Sequence, residues 1–411
     1  MQKKVLPILF GTLLLDITGL GMIIPIIPIL FTDPSSPSFM LTGYSVSGQL
    51  LVAGLVTALA GIMQFFAAPI LGELSDVYGR KRLLTVGVGV LAISQLFFGL
   101  GIQLVSLPII FLSRAIAGIA TGNLSIAQAS IADITPPAER AKNFGLIGAA
   151  FGIGLILGPL LGGWIVHITH SAASPFWLAG MLGVFNLVFI TLLLPETNTS
   201  RRAAQHFTLL KGVRNIKSAI NDVDARPVYS ASFLYMSGFT FLTSFVGVFL
   251  VSRHGFSAAA VGTFFGIMGA WVVVTQGFIL RWLTKIYKER TILRVSILTM
   301  AAAMATFPFL PGPHWLYALV PVLAISQGLT MANMNALISK SVSGDRQGAA
   351  LGINSSLIAL AQGVIPIVAG IGSGFVGLNL PFVGGAVLMV AAWTMLFTVR
   401  RNKTTIDSRA N

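Results

Sequence analysis

Twelve stretches of mainly apolar residues divide the chain. They lie at about 5–31, 46–71, 83–104, 108–133, 144–168, 175–195, 228–251, 258–280, 291–310, 314–338, 348–372 and 380–399. Each matches the roughly 20 residues that a helix needs to cross the hydrocarbon core of a bilayer. The polar connections between them are short, with one exception. Residues 196–227, ETNTSRRAAQHFTLLKGVRNIKSAINDVDARP, separate the sixth stretch from the seventh. There Phe207, Leu210, Val213 and Ile220 recur at near-helical spacing, with Lys211, Arg214 and Lys217 elsewhere. That spacing predicts a basic amphipathic helix lying on the membrane surface.

Composition agrees with the pattern. The 411 residues are 55% hydrophobic and only 9% charged, and the mean hydropathy is +0.87. Soluble chains carry about 25% charged residues. The formal charge of +14 reads as topology, because all but two of the 26 Lys and Arg fall on one side of the twelve-helix map. Arg253 lies on the other side and Arg114 inside helix 4. The positive-inside rule then places both termini in the cytoplasm, and the lean loops suit a bacterial inner membrane. No nucleic-acid partner is expected. There is no cysteine, hence no disulfide, thiolate metal site or cysteine nucleophile. The apolar run after MQKK is too long for a signal-peptide core and lacks a small-residue cleavage site, so it reads as a retained first helix.

The two halves repeat. ADITPPAERAKNFGLIGAAFGIGLILGPLLGG (132–163) matches the pattern of ISKSVSGDRQGAALGINSSLIALAQGVIPIVAG (338–370). Each has an acid–Arg pair, Glu139-Arg140 and Asp345-Arg346, entering a Gly-rich helix with a proline at equal depth, Pro159 and Pro366. DVYGRKRLLTVGV (76–88) echoes KIYKERTILRVSI (285–297). The fold class is therefore an all-α membrane protein, with six-helix bundles over 1–195 and 228–399, a linker over 196–227 and a tail over 400–411. Parallel repeats of this kind build a large class of secondary transporters, with the substrate site near the midplane between halves.

GELSDVYGRKRLL (72–84), between helices 2 and 3, resembles the signature loop of the major facilitator superfamily. Gly72 and Gly79 would permit tight turns, and Asp76 would accept hydrogen bonds at a helix N-terminus. The resemblance implies that this loop locks the halves on the cytoplasmic side, with Arg80 bridging Asp76 and Asp133. Gly72, Asp76, Gly79, Arg80, Asp133 and Arg140 are the expected gate. The C-terminal counterpart has Lys285 for the acid and Lys288 for the glycine, so the lock is expected to be asymmetric. SRAIAGIATGNLSIAQASIADITPPAERAKNFG (113–145) resembles the helix 4 motif of drug/proton exchangers. GLILGPLLGG (154–163) resembles the antiporter motif of helix 5, with Gly154, Gly158, Gly162 and Gly163 for close packing and Pro159 for a bend. Together with LLLDITGLGMIIPIIPIL, these segments resemble the tetracycline-exporter-like branch, the drug:proton antiporter family with twelve helices. The motif resemblance covers most of the first half, while the second shares little beyond the repeat pattern. The chain departs from that branch because helices 3 and 7 to 12 hold no acid. Its histidines also stay shallow: His167, His170, His254 and His314 at outer ends, His206 in the linker. Tetracycline itself is not the expected substrate.

Asp16 interrupts helix 1, where a charge is expensive and functional by default. Thr12, Asp16 and Gly19 share one face. Counted along both helices, Asp16 and Arg114 reach similar depth, and the resemblance implies that helices 1 and 4 both line the cavity, so the two are expected to approach and serve as the proton-coupling pair. A fixed ion pair that merely holds the helices together remains the alternative. Gln64, Asn123, Gln128, Tyr235, Trp271, Gln276, Gln327, Met331, Asn333 and Asn354 are candidates for the substrate cavity, or equally for interhelical hydrogen bonds. The expected function is proton-coupled export of an amphipathic, lipophilic small molecule. Uptake of a sugar or metabolite, or a non-translocating receptor, are the alternatives. Without a Gly-Lys-Ser/Thr phosphate loop, energy must come from an ion gradient. No paired helical acids, Ser–His arrangement or metal-spaced His cluster points to an enzyme. No cofactor or metal is expected, and the partners are substrate, protons and lipid, with the chain a monomer.

Overall fold

The computed structural model describes residues 2–135, 140–198, 210–342 and 347–398. Twelve helices long and apolar enough to cross a membrane run through them. Helix 1 consists of Gln2–Gly21 and Ile26–Phe31. Its break comes at Pro25, which has no N–H to continue the ladder. Helix 2 is Val46–Tyr78, helix 3 Arg80–Gln103, and helix 4 the pair Leu107–Ala120 and Asn123–Ile134. Helix 5 is Arg140–Thr169 and helix 6 Ser174–Leu193. The linker helix, Lys211–Asn221, precedes helix 7, Arg226–His254. Helix 8 runs from Ala258 to Ile286 through a π-turn at Thr275–Ile279. Helices 9 to 12 are Glu289–Thr306, Pro313–Lys340, Gln347–Val376 and Leu380–Thr398. The repeat extends to capping. Ser45 and Ser257 each accept a backbone N–H three residues on, from Gly48 and Ala260, and so start helices 2 and 8.

Several helices outrun the apolar stretches that announce them. Helix 2 continues past residue 71 through Glu73 and Asp76 to Tyr78. The segment read as a loop is therefore the last turns of a helix, and only Gly79, at φ 102°, turns the chain. Helix 5 starts at Arg140, whose side chain lies outside the described residues along with Glu139, Asp345 and Arg346.

Each half has its own core. In the second, Phe249, Phe264, Phe307 and Phe382 are fully buried, with the rings of Phe249 and Phe382 4.8 Å apart. In the first, Phe98 stacks on Phe176 at 4.2 Å. The halves meet along helix 2 with helix 11 and helix 5 with helix 8. These seams are close because glycine permits it. A Cβ on Gly61 would lie 2.5 Å from the carbonyl carbon of Gln362. Ser47 Oγ donates to the Gly374 carbonyl at 3.0 Å. Gly163 packs on Ala258, and Gly247 of helix 7 on Pro28 of helix 1. These last three contacts lie at the ends opposite the basic loops, so the molecule is sealed on that side.

Candidate functional site

Asp16 is 7% exposed and, among the described residues, the one acid that lies deep within a span. Helix 1 aims it into the first half. Asn123 of helix 4 donates Nδ2 to Asp16 Oδ2 at 3.0 Å, and Asn186 of helix 6 donates Nδ2 to Oδ1 at 3.0 Å. Asn186 also donates to the Thr12 carbonyl at 3.2 Å, so the Thr12–Asp16 face is the one that turns inward. Two neutral amides hold the carboxylate, and among the described residues no cation stands within ion-pairing distance of it. Both amides leave their Oδ1 buried and unpartnered, as are Thr12 Oγ1 and Gln95 Nε2. An amide offers a donor or, after a half-turn, an acceptor. The same two residues can therefore hold the group charged or protonated.

The expected Asp16–Arg114 approach is not found. Asn123, which touches Asp16, lies nine residues farther along helix 4 than Arg114, about 13 Å at 1.5 Å per residue. Arg114 sits nearer the sealed side, 8% exposed, its Nε buried without an acceptor among the described residues. Helix 4 runs from Leu107 to Ile134, 28 residues or about 42 Å, so Arg114, near its first end, stands farther from the basic side than a span of about 30 Å implies.

Helix 5 carries the glycine motif, and its glycines line up on helix 1. Gly154 abuts Ile17 and Thr18, Gly158 abuts Thr18 and Gly21, and Gly162 abuts Met22. A Cβ on Gly158 would lie 2.6 Å from the Thr18 carbonyl oxygen. The other face of helix 5 meets helix 8, where the Pro159 carbonyl faces Gly262 and Ile156 faces Gly269. Helix 5 is thus wedged between the helix that bears Asp16 and the second half.

On the basic side, Arg80 is 7% exposed and fully engaged. It forms an ion pair with Asp76 and donates Nε to Asp133 Oδ2 at 2.9 Å. Its NH1 donates to Ser75 Oγ and, at 3.4 Å, to the Gly72 carbonyl. Asp76 closes helix 2 rather than opening a helix. The acid at the N-terminus of helix 3 is Glu196, whose Oε1 accepts from the backbone N–H of Arg80 at 2.9 Å. Asn198 donates Nδ2 to the Asp76 carbonyl at 2.9 Å. Glu196 and Asn198 were missed because nothing in a linker's sequence says which helix end it folds back to. Gly72 makes no turn, and a Cβ there would meet only Ser125 Oγ at 3.8 Å. Every described partner of the Arg80 side chain belongs to the first half.

The remaining cavity candidates divide. Tyr235 donates to Gln327, and Ser232 donates to Asn354 Oδ1 at 2.7 Å, tying helix 7 to helices 10 and 11. Asn333 donates to its own helix at Leu329. All three bonds are structural, and the four candidates that make them are buried. Gln64, Gln128, Gln276 and Met331 are half-buried, and Trp271 is exposed. Gln276 lies in the π-turn of helix 8.

A family model described as Major Facilitator Superfamily matches residues 9–366. The tetracycline resistance protein, class C, of Escherichia coli is 27% identical over 374 residues, which cover 89% of each chain. The quinolone resistance protein NorA of Staphylococcus aureus is 28% identical over 374 residues, 90% of each chain. Among solved structures, the human organic anion transporter MFSD10 (TETRAN) superposes with a TM-score of 0.75 at 23% identity, covering 96% of this chain and 99% of that one. A bacterial homologue of the human lysosomal transporter Spinster, inward-facing and unoccupied, gives 0.73 at 15% identity, covering 97% and 96%. The structural likenesses speak for the fold, and the family model spans the motifs of both halves. The chain belongs to the major facilitator superfamily.

Proposed function

We propose that the chain is a proton-coupled antiporter that exports an amphipathic small molecule, with Asp16 as the proton-carrying group. One observation carries this reading: among the described residues, the single deep carboxylate is enclosed by amides that suit either protonation state and has no countercharge within ion-pairing distance. Protonation there breaks no ion pair, so the site can load and release a proton without dismantling the bundle. The fixed-pair alternative loses its basis, since Arg114 stands elsewhere. Coupling runs through helix 5, whose glycine face rests on Ile17 and Thr18 beside Asp16 and whose opposite face rests on helix 8. A change of packing at residue 16 is transmitted to the seam about which the halves rock.

The basic loops mark the cytoplasmic side, in a bacterial inner membrane, so the described arrangement is sealed toward the outside. Arg80 and its acids stiffen the cytoplasmic end of the first half. Export of a drug-like compound is supported by the names of the matched relatives, which are tetracycline and quinolone resistance proteins. The test is reconstitution of the purified protein into vesicles that hold a pH-sensitive dye, with a panel of lipophilic cations and neutral drugs. At least one compound is expected to evoke proton movement opposite to its own. Transport that proceeds without proton flux, or that follows a sodium gradient instead, would overturn the proposal.

A further inference from the structure

We infer that the outer face of the linker helix, Lys211–Asn221, is a docking surface for anionic phospholipid headgroups of the cytoplasmic leaflet. The inference goes beyond transport and rests only on the orientation of the chain. Its first basis is where the helix sits. Gly212 packs on the Phe65 carbonyl of helix 2, and Lys211 pairs with Glu73 of the same helix. Asn215 donates Nδ2 to Ser356 Oγ of helix 11 at 2.9 Å, and Ala219 is buried in the core of the second half. The linker helix therefore straddles the two halves. Phe65 and Ser356 each lie about 30 Å along their helices from the outer ends at Val46 and Val376. That is one hydrocarbon thickness, so both anchors place the helix at the cytoplasmic interface.

Its second basis is the order of side chains around it. At 100° per residue, the protein-facing Gly212, Ala219 and Asn215 give way to the apolar flank of Ile216, Ile220 and Val213. Next come Lys217 and then Arg214. Val213 and Ile220 are 46% and 58% exposed, and both basic residues are exposed. Neither has an ion-pair partner among the described residues. An apolar flank level with the acyl boundary and a free basic edge beside it fit one environment, an anionic leaflet. The sequence pattern suggests a basic helix lying on the membrane surface. The structure also clamps it to both halves, so the lipid contact sits on a part that must adjust when they rock.

The test needs no transport assay, so its failure is separable from failure of the antiport reading. The native chain has no cysteine, and Val213→Cys gives one site for an environment-sensitive fluorophore. The labelled protein is reconstituted into phosphatidylcholine vesicles containing phosphatidylglycerol, with one or the other lipid brominated. Brominated phosphatidylglycerol is expected to quench several-fold more than brominated phosphatidylcholine at equal mole fraction. R214Q/K217Q is expected to abolish that preference while leaving quenching by the neutral lipid. Equal quenching by both lipids in the labelled native background would overturn the inference, whatever the charge variant does. A label shielded from water yet quenched by neither lipid would place protein on this face, and would equally overturn it.

Discussion

At residue 16 the chain keeps a carboxylate where hydrocarbon surrounds most side chains, and two asparagines make that tolerable. Asn186→Leu removes the donor to Oδ1 and to the Thr12 carbonyl. Losing a hydrogen-bond partner inside a core costs about 1–3 kcal/mol, so the thermal midpoint in detergent is expected to fall by several degrees. An unchanged midpoint would mean that Asn186 does not hold the carboxylate. Asp16 was legible in the sequence because a lone acid breaks an otherwise apolar run. Its partners were not, since they come from helices 4 and 6, 107 and 170 residues away. An asparagine in a helix gives no sign of which way it faces. Arg114 was equally conspicuous, but conspicuousness sets neither depth nor direction, and the two charged residues belong to different levels of the bundle.

Among the elements, helix 5 separates glycines that are required from glycines that only match a motif. Gly158→Ala puts a methyl 2.6 Å from backbone at Thr18, which a well-packed seam cannot absorb without shifting helix 1. Transport is expected to drop at least about tenfold, as a shift of about 1.4 kcal/mol in a transition state suffices for that. Gly72→Ala meets only a serine hydroxyl at 3.8 Å and is expected to transport at the native rate, as measured in the same vesicles. Equal loss in both variants would contradict the packing account. The spans themselves were legible because bilayer thickness imposes a length on apolar runs. Their ends were not, because hydropathy reports where hydrocarbon stops while helices 2 and 5 continue into the polar region. The linker helix shows the same limit. Its register could be read from spacing, but the face docked on Phe65 and Ser356 could not, because small and polar residues such as Gly212 and Asn215 do not advertise burial.

For the whole molecule, the internal repeat made the two-bundle plan readable, whereas the side on which the halves close is a tertiary fact. That closure is testable through Ser47 and Gly374, where the ends of helices 2 and 11 opposite the basic loops touch. In this cysteine-free chain, S47C/G374C is expected to form a disulfide under oxidation, since the two Cβ positions are 2.9 Å apart and need to separate by only about 1 Å to reach bridging distance. Transport should stop when the bridge forms and return with reductant. Undiminished transport by the cross-linked protein would contradict alternating access. The most direct test of the central claim is Asp16→Asn in dye-loaded vesicles, compared with the native chain for the same compound. The account predicts a folded protein with a native-like thermal midpoint, because Asn123 and Asn186 can turn to meet the new amide, and loss of substrate-evoked proton flux. Native proton flux through the Asn variant would contradict it.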